Sequence, residues 1–101
     1  MIAVRFHTAA RAEFEAAAEY YEPRRNLLGD DFLEEVANSL RKISDWPEAY
    51  AALNTEFRGY HLSRFPYTII YRSRAQELFI IAVAHQSRKP DYWKPRASTS
   101  D

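Results

Sequence analysis

The chain has 101 residues, is 47% hydrophobic and 15% aromatic, and carries zero formal net charge with no cysteine. That is the size and composition of one globular domain, and it excludes a disulfide scaffold, a thiolate nucleophile and a cysteine-based zinc site. Only 2 glycines are present, Gly29 and Gly59, too few for a phosphate-cradling glycine loop, and the longest apolar run falls short of the roughly 18 to 20 residues of a membrane span.

Met1 to Phe6 alternates apolar residues (Ile2, Val4, Phe6) with Ala3 and Arg5, the period of a half-buried strand. Thr8 is the expected N-cap of a helix whose apolar face is Ala10, Phe14, Ala17 and Tyr21, with Glu13, Glu15 and Glu19 on its opposite side. Pro23 to Gly29 should break that helix. Asp30 is expected to cap a second, with the stripe Phe32, Val36, Leu40 and Ile43, and Pro47 takes the chain out of helix after Trp46. Glu56 to Leu62 reads as a strand with Arg58, Tyr60 and Leu62 on one face and Phe57 and His61 on the other; Gly59 marks a bulge or a close backbone approach. Tyr67 to Arg72 and Glu77 to His85 read as a hairpin joined by the four residues Ser73 to Gln76, and the second strand, apolar on both faces, should be interior to the sheet. The expected fold is α+β, β-α-α-β-β-β, a helical hairpin on a mainly antiparallel sheet. Residues 1 to 96 should form the single domain, with 97 to 101 a frayed tail.

Charge is segregated along the chain. Residues 1 to 56 carry 6 Lys/Arg against 11 Asp/Glu, whereas residues 57 to 96 carry 8 against 2. A neutral chain with a basic half can present a local field to an acidic partner or a phosphate backbone, unless these charges simply decorate solvated faces. The last apolar strand empties into His85, Arg88, Lys89, Tyr92 and Trp93. His, Tyr and Arg are the residue types that RNA cleavage needs as base, acid and phosphate stabiliser. His85, Tyr92, Arg72 and Arg88 are therefore the catalytic candidates if the chain is a nuclease. Arg58, Arg64, Arg88, Lys89, Tyr92 and Trp93 are the candidates for binding a macromolecular target. Alternatively, Tyr92 and Trp93 fold back on the sheet as an apolar latch. His7, His61 and His85 show no ligand spacing, so no metal or cofactor is expected.

Arg64-Phe65-Pro66-Tyr67, the hairpin and Tyr92-Trp93, preceded by Trp46-Pro47-Glu48-Ala49, resemble the ParE branch of the RelE/ParE toxins of type II toxin-antitoxin modules. The resemblance implies a cytoplasmic protein neutralised by a cognate antitoxin, with DNA reached only through the antitoxin complex. Two activities are known in that superfamily: inhibition of DNA gyrase by binding, and ribosome-dependent mRNA cleavage. Nucleases of the RelE type tend to carry an Arg or Lys within the third strand, where this chain has Tyr67-Thr68-Ile69-Ile70-Tyr71 and no cation until Arg72. The expected function is thus a ParE-like gyrase inhibitor. A RelE-like endoribonuclease and a non-toxic binding domain of the same fold are the alternatives.

Overall fold

The computed structural model describes residues 2 to 98. It is an α+β domain with strand β1 (Ala3–Phe6), helices α1 (Thr8–Tyr21) and α2 (Leu28–Asp45), then β2 (Ala51–Ala52), β3 (Arg58–His61), β4 (Tyr67–Arg74) and β5 (Glu77–His85). The sheet order is β1-β5-β4-β3-β2; β1 pairs with β5 in parallel, and the other three pairs are antiparallel. The expected order of elements is present, with the two-residue strand β2 as an addition. The last strand is interior, as its apolar run required. A short 3₁₀ helix (Lys94–Ser98) ends the described chain and takes in residues 97 and 98 of the expected tail; the rest of that tail, with Met1, lies outside the described residues.

Local chemistry shifts several boundaries. His7, not Thr8, caps α1: its Nδ1 accepts from the Ala9 N–H at 3.0 Å. Helix α2 starts two residues before Asp30, after Leu27 at φ 66°, and Glu22 at the end of α1 accepts the Gly29 N–H at 3.0 Å. Gly29 therefore belongs to α2 rather than breaking the chain there. A Cβ on it would lie 2.9 Å from the Ala18 carbonyl oxygen, so glycine is what lets the helices cross this closely. The β4–β5 turn is two residues rather than four, with Ala75 at φ 47° supplying the reversal.

Gly59 is a close approach and not a bulge, since a Cβ would meet Thr68 Cγ2 at 3.2 Å. The sheet's irregularity lies in β5: Ile70 pairs with Ala82 but Tyr71 pairs with Ile80, leaving Ile81 unmatched. The extra residue inverts the alternation. Leu78, Ile80 and Val83 join the core beneath the helices, while Phe79, Ile81, Ala82 and Ala84 form a second core with Phe57, Ile70 and Trp93 on the other face. Both faces are covered, which is why β5 shows no polar alternation. The helix-side core centres on Phe32, whose ring lies 5.2 Å from Phe65 and 5.5 Å from Tyr67.

Candidate functional site

Strand β1 ends at Phe6, opposite Ile80, so among the described residues the outer edge of β5 has no strand beside it from Ile81 onward. Side chains take over that edge. Glu13 on α1 accepts the Val83 N–H at 2.9 Å, and Arg96 donates to the Ile81 carbonyl at 3.0 Å. Arg96 also donates to both Glu13 oxygens at 3.0 and 2.9 Å, and the Tyr92 hydroxyl donates to Glu13 at 2.7 Å. Burial pushes the Glu13 carboxyl up, but the hydrogen bonds from Arg96, Tyr92 and Val83 outweigh it and hold the group below its ordinary value. Burial, then the hydrogen bond to Glu13, pushes the Tyr92 hydroxyl well above its ordinary value. Neither Glu13 nor Arg96 was expected at the site. Glu13 is not on the solvent side of α1 with Glu15 and Glu19; its side chain is only 16% exposed.

Anchored by this knot, residues 86 to 93 turn back over the sheet face away from the helices. Trp93 is 3% exposed and its ring meets Phe57 at 5.2 Å, the latch arrangement. Between Trp93 and the strand ends lies a cleft of about 470 Å³. Thr68, Ile70 and Ala84 line it from the sheet, Leu53 and His61 from one side, and Arg88, Lys89 and Tyr92 from the returning segment. Arg88 is 52% exposed and stacks on Tyr92 with its guanidinium carbon 3.9 Å from the ring centroid. The result is an apolar hollow with a basic rim, a shape and charge suited to protein side chains.

The residues expected to act together are only partly gathered. His85, Arg88, Lys89, Tyr92 and Trp93 surround the cleft. Arg58 is held by the Tyr50 carbonyl at 2.8 Å, and Arg64 is drawn to Asp31 on α2 at 3.4 Å; neither lines the cleft. Arg72 pairs with Phe79, six residues along β5 from His85, which places it about 20 Å away at the strand's rise per residue. His85 Nδ1 accepts from the Ser87 N–H at 3.0 Å and sits 2.8 Å from Ser87 Oγ, while its ring meets Tyr67 at 5.1 Å. The Tyr92 hydroxyl, hydrogen-bonded to Glu13, is committed to the fold. Four catalytic candidates are thus spread over two ends of the sheet, with the tyrosine proton engaged. Among the described residues, no group of His, Asp or Glu side chains forms a metal site, and no helix is long and apolar enough to cross a membrane.

Residues 4–90 match the sequence model of the family described as the ParE toxin of type II toxin-antitoxin system, parDE. No curated protein sequence matches. Among solved structures the chain resembles one titled as the chromosomal ParDE TA system from P. aeruginosa, with a TM-score of 0.57 and 15% identity over 84% of this chain and 96% of that one. At that identity the likeness speaks for the fold.

Proposed function

Since the chain belongs to the ParE toxin family of type II toxin-antitoxin systems, we propose that it arrests growth by binding DNA gyrase in the cytoplasm and that a cognate antitoxin neutralises it. The observation that carries binding over catalysis is the dispersal of the nuclease candidates: Arg72 lies at the opposite end of β5 from His85, and Tyr92 is tied to Glu13. A general acid or base has to reach its proton within hydrogen-bond distance; Arg72 is out of reach of any scissile bond held between His85 and Arg88 in the cleft, and the Tyr92 proton is engaged by Glu13. The basic rim of Arg88 and Lys89 around an apolar cleft supports contact with an acidic protein surface. The antitoxin covers the same cleft and competes with the target, and it is the antitoxin, not this chain, that contacts DNA.

Expression in a host lacking the partner tests this. Growth should stop, with filamentation and a DNA-damage response while translation continues, and co-expression of the small neighbouring reading frame should restore it. Normal growth with abundant folded protein would refute the toxin reading. Rapid ribosome-dependent mRNA cleavage would instead favour the nuclease alternative, in which His85→Ala should cost about 10² to 10⁴ in rate.

A further inference from the structure

On the helix-free face of the sheet, at the end near the β4–β5 turn, cations and rings alternate across the strands. Arg5 on β1 and Arg72 on β4 both pair with Phe79 on β5, and their guanidinium carbons lie 4.1 and 5.0 Å from its ring centroid. Arg72 also lies 5.7 Å from the Phe57 ring. The flanking cations are compensated: Arg5 donates to both oxygens of Glu77 at 3.0 and 3.2 Å, and Arg74 pairs with Glu56. Arg72 is different. Among the described residues its Nε is buried without a hydrogen-bond partner, and Glu77, the carboxylate that feels its charge, is already held by Arg5.

A buried guanidinium donor left unpaired is costly, and such groups in folded proteins call for an explanation. Nε itself is out of a ligand's reach, so the donors a ligand can meet are the two terminal amino groups, and the aromatic rings hold that end-on fork in place without neutralising it, suited to two parallel hydrogen bonds. We propose that Arg72 is a receptor for one carboxylate side chain, Asp or Glu, presented by a protein partner. The surroundings select that ligand over a nucleic-acid backbone. Arg5 with Glu77 and Arg74 with Glu56 cancel in pairs, so the patch carries one net positive charge, which a single carboxylate matches and a run of phosphates exceeds. Arginine stacked on aromatic rings is also a typical anchor of protein interfaces. This site is separate from the cleft and does not depend on gyrase being the target.

The test is a guanidinium-detected NMR titration of the whole protein at fixed ionic strength, using propionate as the side-chain probe. Inorganic phosphate and a short single-stranded oligonucleotide serve as comparison ligands. Propionate should shift the Arg72 Nε–H resonance saturably with a millimolar dissociation constant while the Arg58 signal stays still. Arg72→Lys, which keeps the charge but loses the fork, should weaken the response about tenfold, read from a neighbouring amide. Phosphate and oligonucleotide should bind more weakly than propionate. The absence of a saturable shift in the wild-type protein would overturn the proposal without reference to any variant. Tighter binding of the oligonucleotide than of propionate would overturn the choice of ligand.

Discussion

Glu13 and Arg96 stand 83 residues apart and meet as a two-pronged pair, Nη1 to Oε1 at 3.0 Å and Nη2 to Oε2 at 2.9 Å, on the edge of β5 that β1 leaves open. One partner bonds the Val83 N–H and the other the Ile81 carbonyl. The pair therefore takes the place of a strand beside the bulge and ties the returning C-terminal segment to α1.

Removing the carboxylate charge should show how much this knot contributes. Glu13→Gln leaves Arg96, whose side chain is 17% exposed, without its counter-charge, and should cost about 2 to 3 kcal/mol, below the full range for a completely buried pair. For a domain of this size that is a fall in Tm of roughly 10 to 20 °C. The pH dependence follows from sign. The folded-state pKa of Glu13 is depressed below 4.5, so the unfolded state takes up its proton first, and the stabilisation present above that value is lost as pH falls through the folded pKa. The stability gap between wild type and Glu13→Gln, measured by urea denaturation, should be constant at neutral pH and narrow below about pH 4.5. A gap that widens in acid would contradict the assignment.

Trp93→Ala should destabilise by about 3 to 5 kcal/mol, the cost of truncating a core aromatic, because the ring seals Phe57 and the second core. Trp93→Phe should recover much of that. Thermal melts of both variants suffice, and a Trp93→Ala protein as stable as wild type would dismiss the latch.

Tyr71 is fully buried and donates to the Pro47 carbonyl at 2.6 Å, and burial raises its pKa from 10.0 to about 12. Its raised value means that the stabilisation is complete below pH 10 and is lost as pH rises toward 12. Tyr71→Phe should cost about 1 kcal/mol at neutral pH through the lost hydrogen bond. It should also flatten the alkaline limb of the stability curve, which a denaturation series across that window will read.

The helices and the β4–β5 hairpin were legible because their patterns are long: Phe32, Val36, Leu40 and Ile43 keep helical spacing, and Leu78 to Ala84 is apolar throughout. That same uniformity hid the bulge at Ile81, since a strand covered on both faces has no alternation whose inversion could be noticed. Ala51–Ala52 carries no pattern at all and is a strand only because Arg58 and Gly59 lie beside it. Of the site, the run from His85 to Trp93 was legible as a cluster of chemistry-bearing side chains. Its anchor was not, because Glu13 reads locally as one of several helix-surface acids and its partner lies near the far end of the chain. The separation of Arg72 from His85 follows from strand register, which composition does not contain.

The basic rim should matter for toxicity and little for folding. Arg88 is 52% exposed, its contact with Glu13 is 3.8 Å, and Lys89 is exposed, so each alanine substitution should change stability by less than about 0.5 kcal/mol. The Arg88→Ala, Lys89→Ala double variant should still melt near the wild-type temperature. Growth arrest should weaken sharply, and residual target binding should become less salt-sensitive because fewer charges are neutralised in the complex. Undiminished toxicity would remove both residues from the target surface.

The central claim, a toxin that works by binding gyrase, is tested most directly by adding the purified protein to a DNA gyrase supercoiling assay, beside a ribosome-dependent mRNA cleavage assay. The expected result is loss of supercoiling that is titrated away by the antitoxin, with His85→Ala as inhibitory as wild type and mRNA intact. Unimpaired supercoiling together with mRNA cleavage that His85→Ala abolishes would contradict it.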